Sequence, residues 1–286
     1  RKFRRWLAAM GLAGYSGNET NTGGWAIWSS RLFQRRVRMK ALHYQLLKEL
    51  GYTGYVLEQA PEKVLQFGEG NFLRAFADYW FDLANERVGW NGKCVLVQPI
   101  PQGAAKEINA QQGLYTLCLR GRENGRVVDR RRVISAVSRC LNPYEADDYR
   151  SMLEVAASPE LEYIVSNTTE AGIVYDEICK LADQPPTAFP AKLTQVLYHR
   201  WQAGQPGLVI LSCELIDNNG RVLRDCVERY AAQWELEPAF RDWLKECTFC
   251  STLVDRIVPG RIQDQGEQAR LEQELGYTDP LLDVGE

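Results

Sequence analysis

Val64-Leu-Gln-Phe-Gly-Glu-Gly-Asn-Phe-Leu-Arg-Ala75 is the stretch that decides the fold. Residues 64–67 form a short apolar run that stops at two glycines, which suits a buried strand. Residues 71–88 then read as one helix. Phe72, Phe76 and Trp80 recur at spacing four, with Leu73, Ala77 and Leu83 beside them, while Asp78, Asp82 and Glu86 share another face. The three aromatics are expected in the core, Phe72 alone also lying near the turn. Cys94-Val-Leu-Val97 is a second buried strand, closed by Pro99 and Pro101. Strand, turn, helix and strand within about 35 residues is the size of one βαβ unit.

The same alternation runs on through the chain. Residues 114–119 and 127–133 flank Arg120-Gly-Arg-Glu-Asn-Gly125, whose Asn-Gly pair signals a β-hairpin. Helices are predicted at 147–157, 190–201, 221–234, 239–247 and 265–275, and strands at 161–166 and 208–213. The expectation is an α/β, Rossmann-like, doubly wound and mostly parallel sheet covered on both faces, with an inserted β-hairpin. Length alone does not decide this, since 286 residues would also suit an all-β barrel.

Composition narrows the function. Hydrophobic residues make up 45% and charged residues 25%, and no window holds the roughly 18 apolar residues of a membrane span. Residues 1–40 carry nine Lys or Arg against one acid, a net +8, which leaves 25 basic and 36 acidic residues, a net −11, in the rest. An acidic body argues against nucleic acid as a partner. The basic head could be a targeting segment or an RNA- or membrane-binding arm. The plainer reading, preferred here, is a non-native or disordered extension over 1–38, with Met39 as the start. Eight cysteines in a long chain read as reduced, buried thiols of a cytoplasmic protein. Cys247-Thr-Phe-Cys250 has no second ligand pair, and only His43 and His199 are present, so no metal site is expected.

A strand that ends in glycines before a helix can cradle a dinucleotide pyrophosphate. Gly68 and Gly70 fill the first two positions of G-x-G-x-x-G, but Leu73 fills the third. After the second strand stand Gln98 and Pro99, not the acid that would read a ribose. On pattern alone, a cofactor cradle and a mere tight turn both stay open.

Gly68-Glu-Gly-Asn-Phe-Leu-Arg-Ala75 resembles the G-x-G-x-F-x-R-A turn of the polyol (mannitol) dehydrogenase family. The resemblance continues in order at Asn167-Thr-Thr-Glu-Ala-Gly172, Cys213-Glu-Leu-Ile-Asp-Asn-Asn-Gly220 and Ser251-Thr-Leu-Val-Asp-Arg-Ile257, over about residues 61–286. Asn71-Phe-Leu-Arg-Ala-Phe76 is similar to the sugar-acid branch, because mannitol and fructuronate enzymes tend to carry His at the positions of Leu73 and Phe76. The resemblance implies metal-free hydride transfer between NAD(H) and a small sugar acid, D-tagaturonate to D-altronate. Another polyol or fructuronate dehydrogenase of the family and a non-catalytic nucleotide-binding module are the alternatives. NAD is expected over NADP by family.

By the same resemblance the coenzyme contacts fall on Val64, Leu65, Gln66, Phe67, Gly68, Glu69, Gly70, Asn71, Phe72, Leu73, Arg74, Ala75, Asn167 and Thr168. Substrate contacts fall on Glu170, Asn219 and Asp255. Each has a plainer reading: a polar turn at Asn167 and Thr168, a tight turn at Asn219-Gly220, an ion pair between Asp255 and Arg256, a surface arginine at Arg74. Leu215 stands where relatives carry an Asn.

Carbonyl reduction also needs a proton donor. In this family a Lys, with Asn five and His eight residues on, performs that role in a C-terminal domain. No lysine here has that spacing. The expected organisation is therefore a leader over 39–60, the NAD-binding domain over 61–260 and the helical start of a linker over 261–286. The catalytic segment and the helical C-terminal domain would lie beyond Glu286. The chain alone is expected to bind NADH weakly or not at all, not to catalyse, and to expose apolar surface where that domain would pack.

Overall fold

The computed structural model describes residues 39–168 and 172–286. In chain order the elements are α1 (Tyr44–Glu49), β1 (Glu62–Phe67), α2 (Asn71–Ala75), α3 (Ala77–Val88), β2 (Lys93–Val97), α4 (Ala105–Ala110), β3 (Tyr115–Glu123), β4 (Arg126–Ile134), β5 (Val137–Leu141), α5 (Ala146–Ala157), β6 (Tyr163–Ser166), α6 (Phe189–Gln202), β7 (Val209–Ser212), α7 (Asn219–Gln233), α8 (Pro238–Trp243), β8 (Thr248–Ser251), α9 (Gln265–Leu275) and β9 (Asp283–Gly285). Six strands form one sheet in the order β5-β2-β1-β6-β7-β8, every neighbouring pair parallel. The chain winds outward from β1 in one direction and then returns to wind outward in the other. That is the doubly wound Rossmann order, and it leaves a switch point between β1 and β6.

Both faces of the sheet are buried, and alternation along the strands decides which residue serves which face. Leu65, Phe67, Val95 and Val97 pack with Ile164 and Ile210 under α5, α6 and α7. Val64, Cys94 and Leu96 point the other way, toward Leu73, Ala77, Ile108 and Tyr115. Two-sided burial is why these strands read as unbroken apolar runs.

The hairpin is inserted as expected. Strands β3 and β4 pair antiparallel through Arg126 and Glu123, and the turn residues Asn124 and Gly125 have φ of 52° and 77°. Both central angles are positive, which is why Asn-Gly occurs there. A second, three-stranded sheet forms in the order β4-β3-β9, with β9 parallel to β3. The segment expected as a leader contributes Leu42, Tyr44, Leu46 and Leu47 to a core shared with Leu114, Val133 and Tyr277. The segment expected as the start of a linker forms helix α9 as predicted and then returns to the body at β9. The basic head, 1–38, lies outside the described residues.

One element differs. The helix expected over 71–88 breaks at Phe76 (φ −115°, ψ −80°) into α2 and α3. The freed carbonyls find partners elsewhere: Tyr115 Oη donates to Arg74 O (2.8 Å) and Arg256 Nη1 to Ala75 O (2.5 Å). Satisfied acceptors make the break cheap. It also turns Trp80 outward, 53% exposed, so that residue is not core. Two of the three residues of the predicted acidic face instead point inward, while Glu86 stays exposed. Asp78 and Asp82 are buried against the hairpin, where Asp82 accepts from Arg132 Nε (2.7 Å) and Ser135 N (2.8 Å).

Candidate functional site

The glycine turn sits at the switch point. Asn167 N donates to Phe67 O and Gly68 N to Val97 O, both at 3.0 Å, so the connections after the parallel strands β2 and β6 part on either side of Gly68. Gly68 has φ +117°, and a Cβ there would lie 2.6 Å from the Asn167 carbonyl oxygen. Only glycine fits. Beneath it the buried Gln66 donates from Nε2 to Gly68 O (3.1 Å). Around Gly70, by contrast, a Cβ would meet nothing within 4 Å, so this part of the turn faces open space. The first helical bond runs from Arg74 N to Gly70 O. The N–H groups of Asn71, Phe72 and Leu73 therefore precede the helical ladder and are free for an outside acceptor. Helix α2 has only five residues, so these N–H groups, not a long helix dipole, are the turn's polar asset.

The side chains of the run divide sharply. Val64, Leu65, Phe67, Leu73 and Ala75 are fully buried and position the turn without facing outward. Leu73, at the third glycine position, packs with Val64 and Leu96, and the short α2 accommodates it. Arg74 is not a surface arginine, although it contributes to the lining of a cavity beside Gly70 and Asn71. Its guanidinium is buried, donating to Leu281 O (3.0 Å) and Asn71 Oδ1 (2.5 Å), with Asp283 Oδ2 at 3.4 Å. An arginine without exposure needs such partners, and Asn71 of α2, Leu281 and Asp283 of β9 provide them. Phe72 stacks on Phe76 at 5.5 Å. Glu69 is buried with Oε1 accepting from Ala104 N (3.3 Å); burial raises its carboxyl above the usual range.

On the other side of the switch point lies a cavity of about 320 Å³ lined by Phe72, Asn167, Glu214, Leu215, Val254 and Arg256, among others. Asn167 donates to Cys213 O (2.6 Å), tying the ends of β6 and β7 together. Glu214 is the residue that sequence reasoning missed. It is buried and accepts from Ser166 Oγ (3.1 Å), Thr168 N and Thr168 Oγ1 (both 3.2 Å). Burial raises its carboxyl, and those donors partly offset the rise. Its place straight after a buried strand was the available signal.

The substrate candidates separate. Glu170 lies outside the described residues. Asn219 is not free to touch a substrate: Nδ2 donates to Glu214 O and Thr252 O, and Oδ1 accepts from Gly220 N and Thr252 N. All four of its hydrogen-bonding positions are used to join the loops after β7 and β8. Asp255 is exposed, and the expected pair with Arg256 is not made. Arg256 instead donates to Ala75 O, stands 5.1 Å over the Tyr79 ring and lines the cavity.

Gln98, at the end of β2, is buried and fully engaged. Nε2 donates to Ile100 O (2.8 Å) and Pro101 O (2.9 Å), and Oε1 accepts from Ala105 N (3.4 Å). Beyond it Pro99, Ile100, Val174 and Phe189 contribute to a second cavity of about 350 Å³ between the loops after β2 and β6. Cys247 immediately precedes β8 and Cys250 lies within it; both are free thiols, Cys247 buried and Cys250 partly buried.

The sequence matches the family described as the mannitol dehydrogenase Rossmann domain over residues 62–286. It is 47% identical over 247 residues to an altronate oxidoreductase of Bacillus subtilis, covering 85% of this chain and 50% of that protein. An altronate oxidoreductase of Yersinia enterocolitica is 48% identical over 233 residues, or 79% and 47% of the two chains. This chain thus spans about half the length of the curated relatives it matches. Among solved structures, a Pseudomonas fluorescens mannitol 2-dehydrogenase in ternary complex with NAD and D-mannitol superposes with a TM-score of 0.73 at 25% identity, covering 86% of this chain and 52% of that one.

Proposed function

The chain belongs to the mannitol dehydrogenase family, and from that premise we propose that its crevice binds NAD for an oxidoreductase interconverting D-tagaturonate and D-altronate. The observation that carries the reading is the open face of the turn at Gly70, directly beside the close approach of Gly68 to Asn167 at the sheet's switch point. A cradle of this kind, with outward N–H groups at Asn71 to Leu73, fits a pyrophosphate. The apolar cleft of Pro99, Ile100 and Val174 suits an adenine, and the cavity of Phe72 and Asn167 suits a nicotinamide. When bound, NAD supplies the hydride donor or acceptor.

The chain's own residues hold and shape that space. Glu214 fixes Ser166 and Thr168, and Asn219 fixes the loops behind the cavity. Relatives near 47% identity named for altronate, against a mannitol enzyme at 25%, favour a sugar acid over a polyol. Leu215, Leu253 and Ile257, exposed by 64%, 93% and 67%, lie on the loops after β7 and β8 and offer an apolar surface to the remaining half of a relative-length polypeptide. Proton transfer to the substrate is assigned to that half, since no lysine here carries the family's Asn and His spacing.

The pyrophosphate and adenosine parts of the crevice are both within this chain, so weak but saturable binding is expected, not none. Titration of the purified chain with NADH, followed by nicotinamide fluorescence, tests this. A response that saturates and is displaced by NAD supports the reading; a response that only rises linearly overturns it. D-tagaturonate added to the NADH complex should cause no oxidation by this chain alone.

A further inference from the structure

A dinucleotide crevice of this fold reads the adenosine ribose with an acid at the end of the second strand. Here that position is Gln98, and all its hydrogen-bonding groups within reach are spent on Ile100, Pro101 and Ala105. A carboxylate nevertheless reaches the same loop from the other side. Glu69, between the two glycines of the turn, extends across to Ala104 N. Gly103 makes room for it: a Cβ on Gly103 would collide with Glu69 Oε1. Among the described residues, Ala104 is the one residue other than Glu69 itself whose N–H donates to this carboxylate. The carboxylate lines a cavity of about 380 Å³ between the turn and the loop after β2, together with Gly70, Arg74, Gly103, Glu107 and Arg261, the Arg74 guanidinium being held by Asn71, Leu281 and Asp283.

We infer that Glu69 is the specificity residue for the coenzyme, its carboxylate accepting from the adenosine ribose hydroxyls and excluding a 2′-phosphate. The inference rests on the reading of the crevice as an NAD site. It transfers to a turn residue the task that the fold gives to the end of the second strand. One oxygen is anchored on Ala104 N and the other is left for a diol. A 2′-phosphate in the same place would bring a dianion against a half-desolvated carboxylate, which is strongly unfavourable. Arg261 on the rim of the cavity would favour that phosphate once the carboxylate is gone.

The test is the dissociation constant of NADH and of NADPH for the 286-residue chain and for Glu69→Gln, Glu69→Asp and Glu107→Gln, with thermal melting as the check on folding. The unsubstituted chain should prefer NADH. Loss of one charge-assisted hydrogen bond should weaken NADH by about tenfold in Glu69→Gln, and the preference for NADH over NADPH should fall by at least about tenfold. Glu69→Asp keeps the charge but loses reach, so it should weaken NADH while still rejecting NADPH. If Glu69→Gln melts early, the Asp variant decides alone. An unchanged preference in both folded Glu69 variants overturns the inference, and so does a shift produced by Glu107→Gln alone. No saturable NADH binding by the unsubstituted chain is a different result, which removes the NAD reading itself.

Discussion

A Cβ on Gly68 would lie 2.6 Å from the carbonyl oxygen of Asn167, so the end of β1 touches the end of β6 through a residue with no side chain. This contact holds the two halves of the sheet at the mouth of the crevice. Gly68→Ala must also adopt φ near +117°, outside the comfortable range of alanine. Clash and strain together should cost about 2–4 kcal/mol, read from the urea midpoint. A midpoint within error of the parent would show that the turn can relax without this contact.

Asp78 should make the fold less stable as pH rises. Tyr115 Oη has one proton and two acceptors beside it, Arg74 O at 2.8 Å and Asp78 Oδ2 at 3.1 Å. A protonated Asp78 resolves this by donating to Tyr115, which donates on to Arg74. Burial pushes the Asp78 carboxyl up to about 7 from 3.8. Between about pH 4 and 7 the folded chain holds that proton while the unfolded chain has lost it, so stability falls through this window. Asp78→Asn mimics the protonated form. It should match the parent near pH 4 and exceed it by on the order of 4 kcal/mol at pH 8. A difference that does not change with pH would contradict the assignment.

The pair Arg74–Asp283 joins the glycine turn to β9 across the chain's length. Both side chains are buried, and desolvation outweighs the arginine, holding Asp283 near 6. Asp283→Asn leaves a buried guanidinium without its counter-charge and should cost about 3 kcal/mol at pH 7.5. Arg74→Met with Asp283→Leu should be less damaging than the sum of the two single changes in a denaturation cycle. Additive losses would mean that the two groups are held independently.

Much of this was legible in the sequence, and the reasons for the rest are physical. The buried strands and the turn at Gly68 and Gly70 announced themselves because two-sided burial leaves apolar runs and a switch-point contact demands glycine. Asn124-Gly125 announced the hairpin for the same kind of reason. The break at Phe76 left no mark, because periodicity counts side chains, whereas the break depends on Tyr115 and Arg256 reaching the carbonyls of Arg74 and Ala75. Strands such as Val137–Leu141 and Thr248–Ser251 mix polar and apolar residues over four or five positions and fall below any pattern. Asn219 looked like a substrate ligand because a residue type does not reveal whether its amide is already spent. Glu214 and Asp78 were passed over because an acid in a sequence reads as solvated until a partner is found for it.

The loops after β7 and β8 should govern solubility. Leu253 and Ile257 are 93% and 67% exposed. Replacing both by Ser should leave the melting temperature within about 2 °C while raising the concentration at which the chain begins to self-associate in light scattering. An unchanged onset of association would show that these residues form no sticky surface.

The central claim is that the open face at Gly70 is where the NAD pyrophosphate sits, and the most direct measurement of it is the NADH affinity of Gly70→Val. Nothing in the protein lies within 4 Å of a Cβ there, and the residue has an ordinary φ of −68°. The variant should therefore fold and melt like the parent, while the added side chain fills the phosphate's space and weakens NADH at least about tenfold, or 1.4 kcal/mol. Equal affinity for NADH in the parent and a normally folded Gly70→Val would contradict the account.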